Sequence, residues 1–142
     1  MISVKIDNVK SFMSQLFAGE CFDSFHVAGC EVVTFFKMQM DGRRQKDWYD
    51  TDEQPGDNSS QVTWREIKSI VYQLIKGKKT PKKMRIDFCH YMADGDVGSL
   101  RVEYDRESLV AYTGYMQREF SKDRQKQQEW DENCRRFLRE WE

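Results

Sequence analysis

Residues 62–119 constrain the fold of this 142-residue chain more than any other stretch. Thr63 and Glu66 have the spacing of a capping box, in which each side chain accepts a hydrogen bond from a backbone amide at the start of a helix. Apolar residues then recur at helical spacing, at Trp64, Ile67, Ile70, Val71, Leu74 and Ile75. This pattern predicts a capped amphipathic helix that ends at Gly77.

Three strands joined by tight turns are predicted after this helix. Apolar and polar residues alternate over residues 84–92, and Asp94-Gly95 then supplies turn-forming residues. Residues 100–105 alternate cleanly, which is typical of a strand with one buried face. A third strand is predicted over residues 109–118. The stretch therefore predicts one helix followed by an antiparallel three-stranded unit.

The start of the chain predicts a strand and a helix in the same order. Apolar residues alternate with polar ones over residues 2–6. Asp7 stands at the position of an N-cap, where a carboxylate can accept hydrogen bonds from the amides of the first turn. Residues 9–17 have helical spacing, and Gly19 supplies the residue type that commonly ends a helix.

Three further strands are predicted between this helix and the middle of the chain. Residues 22–29 and 31–40 are rich in aromatic and β-branched side chains, and Gly29 is expected at a bulge or turn. Asp41-Gly42 tolerates the positive φ of a tight turn and therefore predicts a hairpin. Residues 43–49 form the predicted returning strand, which lies at an edge or faces water because it is polar until its last two residues.

Residues 50–61 predict a solvated acidic loop with a turn at Pro55-Gly56. The carboxylate spacing is faintly similar to that of a calcium loop. The sixth position lacks the glycine of such a loop and Gln61 stands at the twelfth in place of glutamate, so a mobile loop is the preferred interpretation.

The last segment predicts a terminal amphipathic helix over residues 121–142, beside one domain formed by residues 1–120. Residues 122–129 carry no apolar side chain, so the first turns cannot pack tightly. A narrow apolar stripe follows at Trp130, Cys134, Phe137, Leu138 and Trp141. Two alternatives remain open. The stripe either folds back onto its own domain or docks on another chain, with Trp130, Phe137, Leu138 and Trp141 as the partner contacts.

The predicted fold is α+β, with two β-α-β-β-β units forming an antiparallel sheet, two helices packed on one face, and a C-terminal helix. This order resembles one domain of the sliding-clamp family, the ring proteins that hold replicative polymerases on DNA. The resemblance covers residues 1–120, and the chain has one copy of a domain that clamps repeat two or three times. The whole chain also resembles a family of short uncharacterised bacterial proteins of unknown function.

The composition excludes some classes of protein. The formal net charge of −1 argues against a globally basic nucleic-acid binder. No run of about 18 apolar residues exists, and the first residues lack the apolar core of a signal peptide, so we expect a cytoplasmic protein with no membrane partner. The four cysteines lack CxxC spacing, so we expect free buried thiols, although Cys21 and Cys30 are spaced closely enough to pair.

Positive charge is concentrated after the second predicted helix. These charges either oppose the negative end of the helix dipole or contact phosphate or an acidic partner. The candidate contacts for an anion or a nucleic acid are Arg65, Lys68, Lys76, Lys78, Lys79, Lys82, Lys83 and Arg85.

The sequence contains no recognisable catalytic constellation. Cys89 and His90 are adjacent in a predicted strand, so their side chains point to opposite faces and cannot form a nucleophile–base pair. We expect no metal and no cofactor. The preferred hypothesis is a non-catalytic protein-interaction module that uses the sheet edge and the terminal helix to bind another protein, or a second copy in a homodimer. The alternatives are a weak nucleic-acid-binding protein that uses residues 76–85, and a small enzyme that uses His90.

Overall fold

A computed structural model describes residues 1–50 and 59–142 of the protein. The interpretation of the acidic loop, calcium included, falls mostly on residues 51–58 and so lies outside the described residues. The strands are β1 (Ser3–Lys5), β2 (His26–Val33), β3 (Lys37–Met40), β4 (Lys83–Tyr91), β5 (Val97–Asp105) and β6 (Leu109–Met116). The helices are α1 (Val9–Phe17), α2 (Trp64–Ile75) and α3 (Gln125–Leu138), with 3₁₀ turns at Lys46–Trp48 and Arg139–Trp141.

The α+β prediction is confirmed, with one antiparallel sheet and a C-terminal helix. The six strands lie in the order β1-β6-β5-β4-β2-β3, so the first strand of the chain pairs with the last. Successive side chains of a strand point to opposite faces, and the apolar set of every strand faces the helices. The buried residues of this helix-covered face include Val4, Val27, Val32, Met84, Ile86, Phe88, Leu100, Val102, Leu109 and Ala111.

The predicted strand over residues 43–49 is wrong. Arg43 forms only an isolated bridge with Gln61, and the chain then enters the 3₁₀ turn at Lys46–Trp48. The reason is the Arg44 side chain, which is fully buried and bound to Glu66 on α2. That contact draws the chain towards α2 and away from the sheet. Among the described residues, the first unit therefore has two strands after its helix instead of the predicted three.

The hairpin of the first unit turns at a different place from the predicted one. Residues 34–36 join β2 to β3, and the Thr34 amide donates to the Phe36 carbonyl over 3.0 Å. Asp41-Gly42 instead ends β3, with Gly42 at φ +69°. The expected irregularity at Gly29 is confirmed, because the register between β2 and β4 shifts between Val27 and Gly29.

The predicted cap of α2 is confirmed, whereas the predicted cap of α1 is wrong. In α2, the Thr63 amide donates to Glu66 Oε2 over 2.7 Å, and Gly77 after the helix has φ +128°. In α1 the N-cap is Asn8, whose Oδ1 accepts from the Ser11 amide, and the prediction of Asp7 is wrong. The backbone amide of Asp7 instead donates to the carbonyl of Trp141 at the C-terminus.

All three helices cover the same face of the sheet. Helices α1 and α2 lie side by side, and the buried Trp64 Nε1 of α2 donates to the Leu16 carbonyl of α1 over 2.7 Å. Helix α3 lies over β5 and β6, and its aromatic side chains join the core of residues 1–120. The described helices include none that is long and apolar enough to cross a membrane.

The cysteines are all free, but only three of them are buried. Cys30, Cys89 and Cys134 are buried, whereas Cys21 is exposed, so the expectation of a buried thiol is wrong at that position. The Cys21 thiol donates to the side-chain carbonyl of Gln15 over 3.2 Å. It lies after the end of α1, outside the face that the helices cover.

Helix α3 is held on the sheet by a tryptophan and an aspartate. Trp130 Nε1 donates to the Ser99 carbonyl over 3.0 Å, and the Thr113 hydroxyl donates to Asp131 Oδ1 over 2.6 Å. The Trp130 ring lies directly over Gly98 in β5, where an added Cβ would be 2.6 Å from two ring atoms. The missing side chain at Gly98 is therefore what allows this helix to approach the sheet.

We predict that Gly98→Ala lowers the free energy of unfolding by about 1–3 kcal/mol, because the new methyl group overlaps the Trp130 ring. Urea denaturation measures this change. Gly114→Ala is the matched control on β6, since its Cβ would meet only the small Ser99 hydroxyl, which can rotate away. We expect less than about 0.5 kcal/mol there. Equal losses in the two variants would show that Trp130 is not seated on Gly98.

The pair of Arg44 and Glu66 connects the middle of the chain to α2. Arg44 Nη1 and Nη2 lie 2.8 and 2.9 Å from the two carboxylate oxygens, and Nη1 also donates to the Tyr49 hydroxyl. The Arg44 side chain is fully buried, while that of Glu66 is 35% exposed. Hydrogen bonds from Arg44 hold the pKa of Glu66 below its usual value of 4.5.

We predict that Glu66→Gln lowers the free energy of unfolding by about 2–3 kcal/mol at neutral pH, because it leaves a buried guanidinium without its counter-charge. The partial exposure of Glu66 keeps the loss below that of a fully buried pair. Glutamine retains a carbonyl for the Thr63 amide, so the substitution isolates the ion pair.

The same pair predicts a pH dependence. The folded pKa of Glu66 is lowered, so its contribution is complete above the unfolded value of about 4.5 and is lost as pH falls through the folded pKa. The difference between the wild type and Glu66→Gln should therefore shrink below about pH 4.5 in urea titrations. Glu140→Gln, on the exposed last turn, should change stability by less than about 0.5 kcal/mol. A difference that stays constant down to acid pH would contradict the ion pair.

Candidate functional site

An apolar groove opens between α1 and the last turn of α2. It has a volume of about 770 Å³, within the range of sites that bind small molecules or side chains of a partner. Met84 and Tyr104, which pair across β4 and β5, form its floor. Its walls are Val9, Met13 and Phe17 on α1 and Tyr72 and Ile75 on α2, and Lys10 and Lys76 stand at its rim.

The groove exists because the helical layer is incomplete at this end of the sheet. Helix α2 ends at Ile75, and Gly77 turns the chain back towards β4. The Phe17 and Tyr72 rings touch across the two helices with centroids 5.6 Å apart. Tyr72 is nevertheless 47% exposed, so the groove presents an aromatic surface to solvent.

Cations collect at the end of the sheet next to the groove. The basic end, as we name it, comprises Lys76, Lys78, Lys79, Lys82, Lys83 and Arg106, all with exposed side chains. Lys83 pairs in register with Asp105, and amides at Glu107 and Ser108, with Lys83 nearby, lower the pKa of the Asp105 carboxyl. Only Lys76 adjoins the last turn of α2, as its C-cap. Of the basic end, it is therefore the residue placed to interact with the negative end of the helix dipole.

Three of the predicted cationic contacts do not belong to the basic end. Lys68 Nζ binds both oxygens of Asp23 at 2.8 and 3.0 Å and the Gly19 carbonyl at 2.9 Å, which uses all three of its donors. Arg85 pairs with Glu31 and Asp87 on the other face of the sheet. Arg65 lies near the start of α2, roughly 16 Å along the helix from Lys76.

The apolar stripe of α3 packs onto its own domain, the first of the two alternatives for the terminal helix. Trp141 is 1% exposed and Leu138 is fully buried. The Trp141 ring stacks on Phe22 and meets Phe12 edge to face. Trp130 is also buried, and Phe137 packs against the core. In this conformation the predicted partner contacts belong to the core of the protein.

The side chains of Cys89 and His90, which are adjacent in β4, point to opposite faces of the sheet, and Cys89 instead pairs in register with His26 on β2. His90 stacks on the Trp130 ring with an interplanar angle of 6° and a centroid distance of 6.0 Å. Cys89 points to the opposite face, where burial raises the pKa of its thiol and so disfavours the nucleophilic thiolate. Within residues 1–50 and 59–142, no three His, Cys, Asp or Glu side chains are grouped to hold a metal ion.

The face of the sheet that carries no helix holds a network of ion pairs. Glu31 binds Lys37 and Arg85, and hydrogen bonding from Lys37 lowers the pKa of its carboxyl. Asp87 in turn binds Arg85 and Arg101. A depression of about 630 Å³ lies on this face, lined by Asp87 and Arg101 together with apolar side chains. The buried Arg85 Nε lies 3.3 Å from Asp87 Oδ2 but makes no hydrogen bond within the described residues.

Sequence reasoning missed the groove and one exposed aromatic pair. The helical spacing assigns Val9, Met13, Phe17 and Ile75 to core stripes, but it does not tell which part of a stripe lacks a covering layer. Phe35 and Phe36 were placed inside a predicted strand, yet they occupy the turn between β2 and β3 with 93% and 50% exposure. The adjacency of two phenylalanines, which breaks the alternation of a strand, was the signal for this turn.

Comparison with known proteins identifies a family and nothing beyond it. A family of unknown function, DUF5721, matches residues 15–96, more than half of the chain. The matched stretch runs from the last turn of α1 to the turn before β5, and it includes Tyr72, Met84 and the lysines of the basic end. No curated protein and no solved structure matches the chain. The protein therefore belongs to the DUF5721 family.

Proposed function

We propose that this protein is a non-catalytic protein-interaction module and that its contact surface is the groove between α1 and α2. The occupant we propose is a segment of another protein that combines acidic and apolar side chains. One observation carries this proposal. The groove has an exposed aromatic wall and two lysines at its rim, Lys10 and Lys76. This surface replaces the sheet edge and the terminal helix as the expected contact.

The chemistry of the groove supports this occupant. Its floor and walls are mostly apolar or aromatic, although Ser14 and Thr80 also line it. A partner side chain that enters it leaves water, which stabilises the complex by about 25 cal/mol per Å² of apolar area buried. The rim cations favour carboxylates just outside the buried contact, where charge pairs steer association and set orientation. The edge strands are poorer candidates, because β1 and β3 are short and each carries a lysine that discourages strand addition.

A random-peptide phage library panned on the immobilised protein tests the proposal. The enriched peptides should combine Asp or Glu with Leu, Ile, Phe or Trp. Fluorescence polarisation should then show that Tyr72→Ser weakens the binding of such a peptide at least about tenfold, which is about 1.4 kcal/mol. The double substitution Lys10→Glu, Lys76→Glu should weaken binding similarly, and more strongly at low salt.

Matched controls lie on the same helix. Ile70 is exposed on the outer surface of α2, so Ile70→Ser should leave the affinity unchanged. Arg65 stands near the start of α2, so Arg65→Glu tests charge reversal away from the groove. The proposal would be wrong if no peptide were enriched, or if the enriched peptides bound Tyr72→Ser and the charge-reversed variant as tightly as the wild type.

A second copy of the chain is an alternative occupant, and one observation favours it. Trp48 is 77% exposed and lies between Asp47 and Asp50, so the chain itself carries an acidic and aromatic segment. Insertion of Trp48 into the groove of a neighbour would give the homodimer expected from the sequence. Light scattering decides the matter. A molar mass that rises with protein concentration in the wild type, and that is lower in Trp48→Ser, would favour self-association. A molar mass that stays at the monomer value at all concentrations would exclude it.

The basic end favours nucleic acid as a second candidate function, because five exposed lysines lie within residues 76–83. Lys68 and Arg85, which are paired elsewhere, do not contribute. The affinity for a labelled DNA duplex should fall steeply as the salt concentration rises. The double substitution Lys78→Glu, Lys79→Glu should reduce the magnitude of the slope of log affinity against log salt concentration by about two. Arg65→Glu is the control. An absence of binding at about 50 mM salt would remove this candidate.

We also infer a clamp-like arrangement, which the side-by-side helices on one face of an antiparallel sheet support. The first unit departs from it, because residues 43–49 form no third strand. The bacterial origin and the cytoplasmic location remain predictions. An experimental structure that superimposes residues 1–120 on a sliding-clamp domain would test the arrangement, and a different sheet order in the two would contradict it.

A further inference from the structure

Two phenylalanines form an exposed apolar tip at the basic end of the sheet. Phe35 and Phe36 occupy the turn between β2 and β3 and are 93% and 50% exposed. Their ring centroids are 4.6 Å apart, so the rings form one apolar unit. Single exposed apolar residues are ordinary, but two large adjacent ones beyond the last paired residues of a hairpin mark a contact surface.

Lysines surround the base of this tip. Val33 pairs with Lys37 on β3 and with Lys83 on β4, so cations flank it on both sides. The Lys82 amide donates to the Val33 carbonyl over 2.8 Å, which holds the segment before β4 against the hairpin. Two carboxylates lie near these lysines, and both have other partners. Glu31 is buried and bound to Lys37 and Arg85, and Asp105, which pairs in register with Lys83, accepts from the amides of Glu107 and Ser108. The tip thus combines an apolar point with a cationic base.

We propose that this tip contacts a membrane surface rich in anionic lipid, with Phe35 and Phe36 entering the interface and Lys82 and Lys83 binding the headgroups. Transfer of apolar side chains from water to the boundary of the acyl chains is favourable. Lysines near an anionic surface add electrostatic attraction that weakens with salt. This contact is separate from the α1–α2 groove and does not rest on the proposed function.

The shape of the tip favours a lipid surface over a macromolecular partner. The tip is convex, and a fluid interface accepts it without a matching cavity, whereas a protein partner would need one. The two rings are inclined at 54° and pack on each other, so they do not offer the flat, open platform on which nucleic-acid bases stack. The expectation of no membrane partner rested on the lack of a spanning segment, and a surface contact requires no such segment.

Co-sedimentation with vesicles tests the inference. The full chain is mixed with vesicles of pure phosphatidylcholine or of equal parts phosphatidylcholine and phosphatidylglycerol, at about 50 and about 300 mM salt. The wild type should sediment with the mixed vesicles, less so at high salt. Phe35→Ser, Phe36→Ser should lower the partition coefficient at least about tenfold, because two apolar rings no longer enter the interface. Lys82→Glu, Lys83→Glu should abolish the preference for phosphatidylglycerol.

Phe120→Ser is the matched control. Phe120 is 87% exposed and follows β6, at the opposite end of the sheet, so its loss should leave sedimentation unchanged. All substituted side chains are exposed, and thermal melts should match the wild type. Failure of the wild type to sediment with the mixed vesicles would overturn the inference. This is the result expected if the tip binds a pocket of another protein and not a lipid surface. Equal sedimentation of the tip variant and the wild type, or an equal loss in Phe120→Ser, would also overturn it.

Discussion

Burial of one face of the sheet is the constraint on which the rest of the structure depends. Every strand directs its most buried apolar side chains to the same face, and those side chains leave water only if helices cover them. Helices α1 and α2 cover one part, with Trp64 reaching between them, and α3 covers the part above β5 and β6. The terminal helix is therefore a layer of the core.

The surfaces that we assign to binding follow from where this layer is incomplete. Helix α2 ends before the end of the sheet, so Met84 and Tyr104 form the floor of an open groove. The chain between α2 and β4 must return over a short distance, and its lysines collect at the same end. The hairpin between β2 and β3 extends beyond the layer there, which leaves Phe35 and Phe36 in solvent. The groove, the cations and the aromatic tip thus share one structural origin.

The predictions from sequence were accurate where the interactions join residues that are close in the chain, and they failed where the interactions join distant residues. The capping box of α2 and the alternation of β4 to β6 depend on neighbours within a few residues, so both were predicted well. The predicted strand over residues 43–49 failed because Arg44 is held by Glu66, which stands 22 residues away in the chain. The groove was not predicted, since the apolar spacing of α1 and α2 does not show which part of their stripes the fold leaves uncovered.

The sequence by itself determined the α+β class, the order of most elements, the capped second helix and the cluster of lysines that follows it. Those features come from local periodicity, turn chemistry and charge. Only the tertiary structure decided that Trp130 sits on Gly98, that Trp141 closes the core beside Phe12, and that Lys68 and Arg85 are paired with carboxylates. These outcomes depend on which distant side chains compete for the same buried space and the same counter-charges, and a linear pattern does not contain that information.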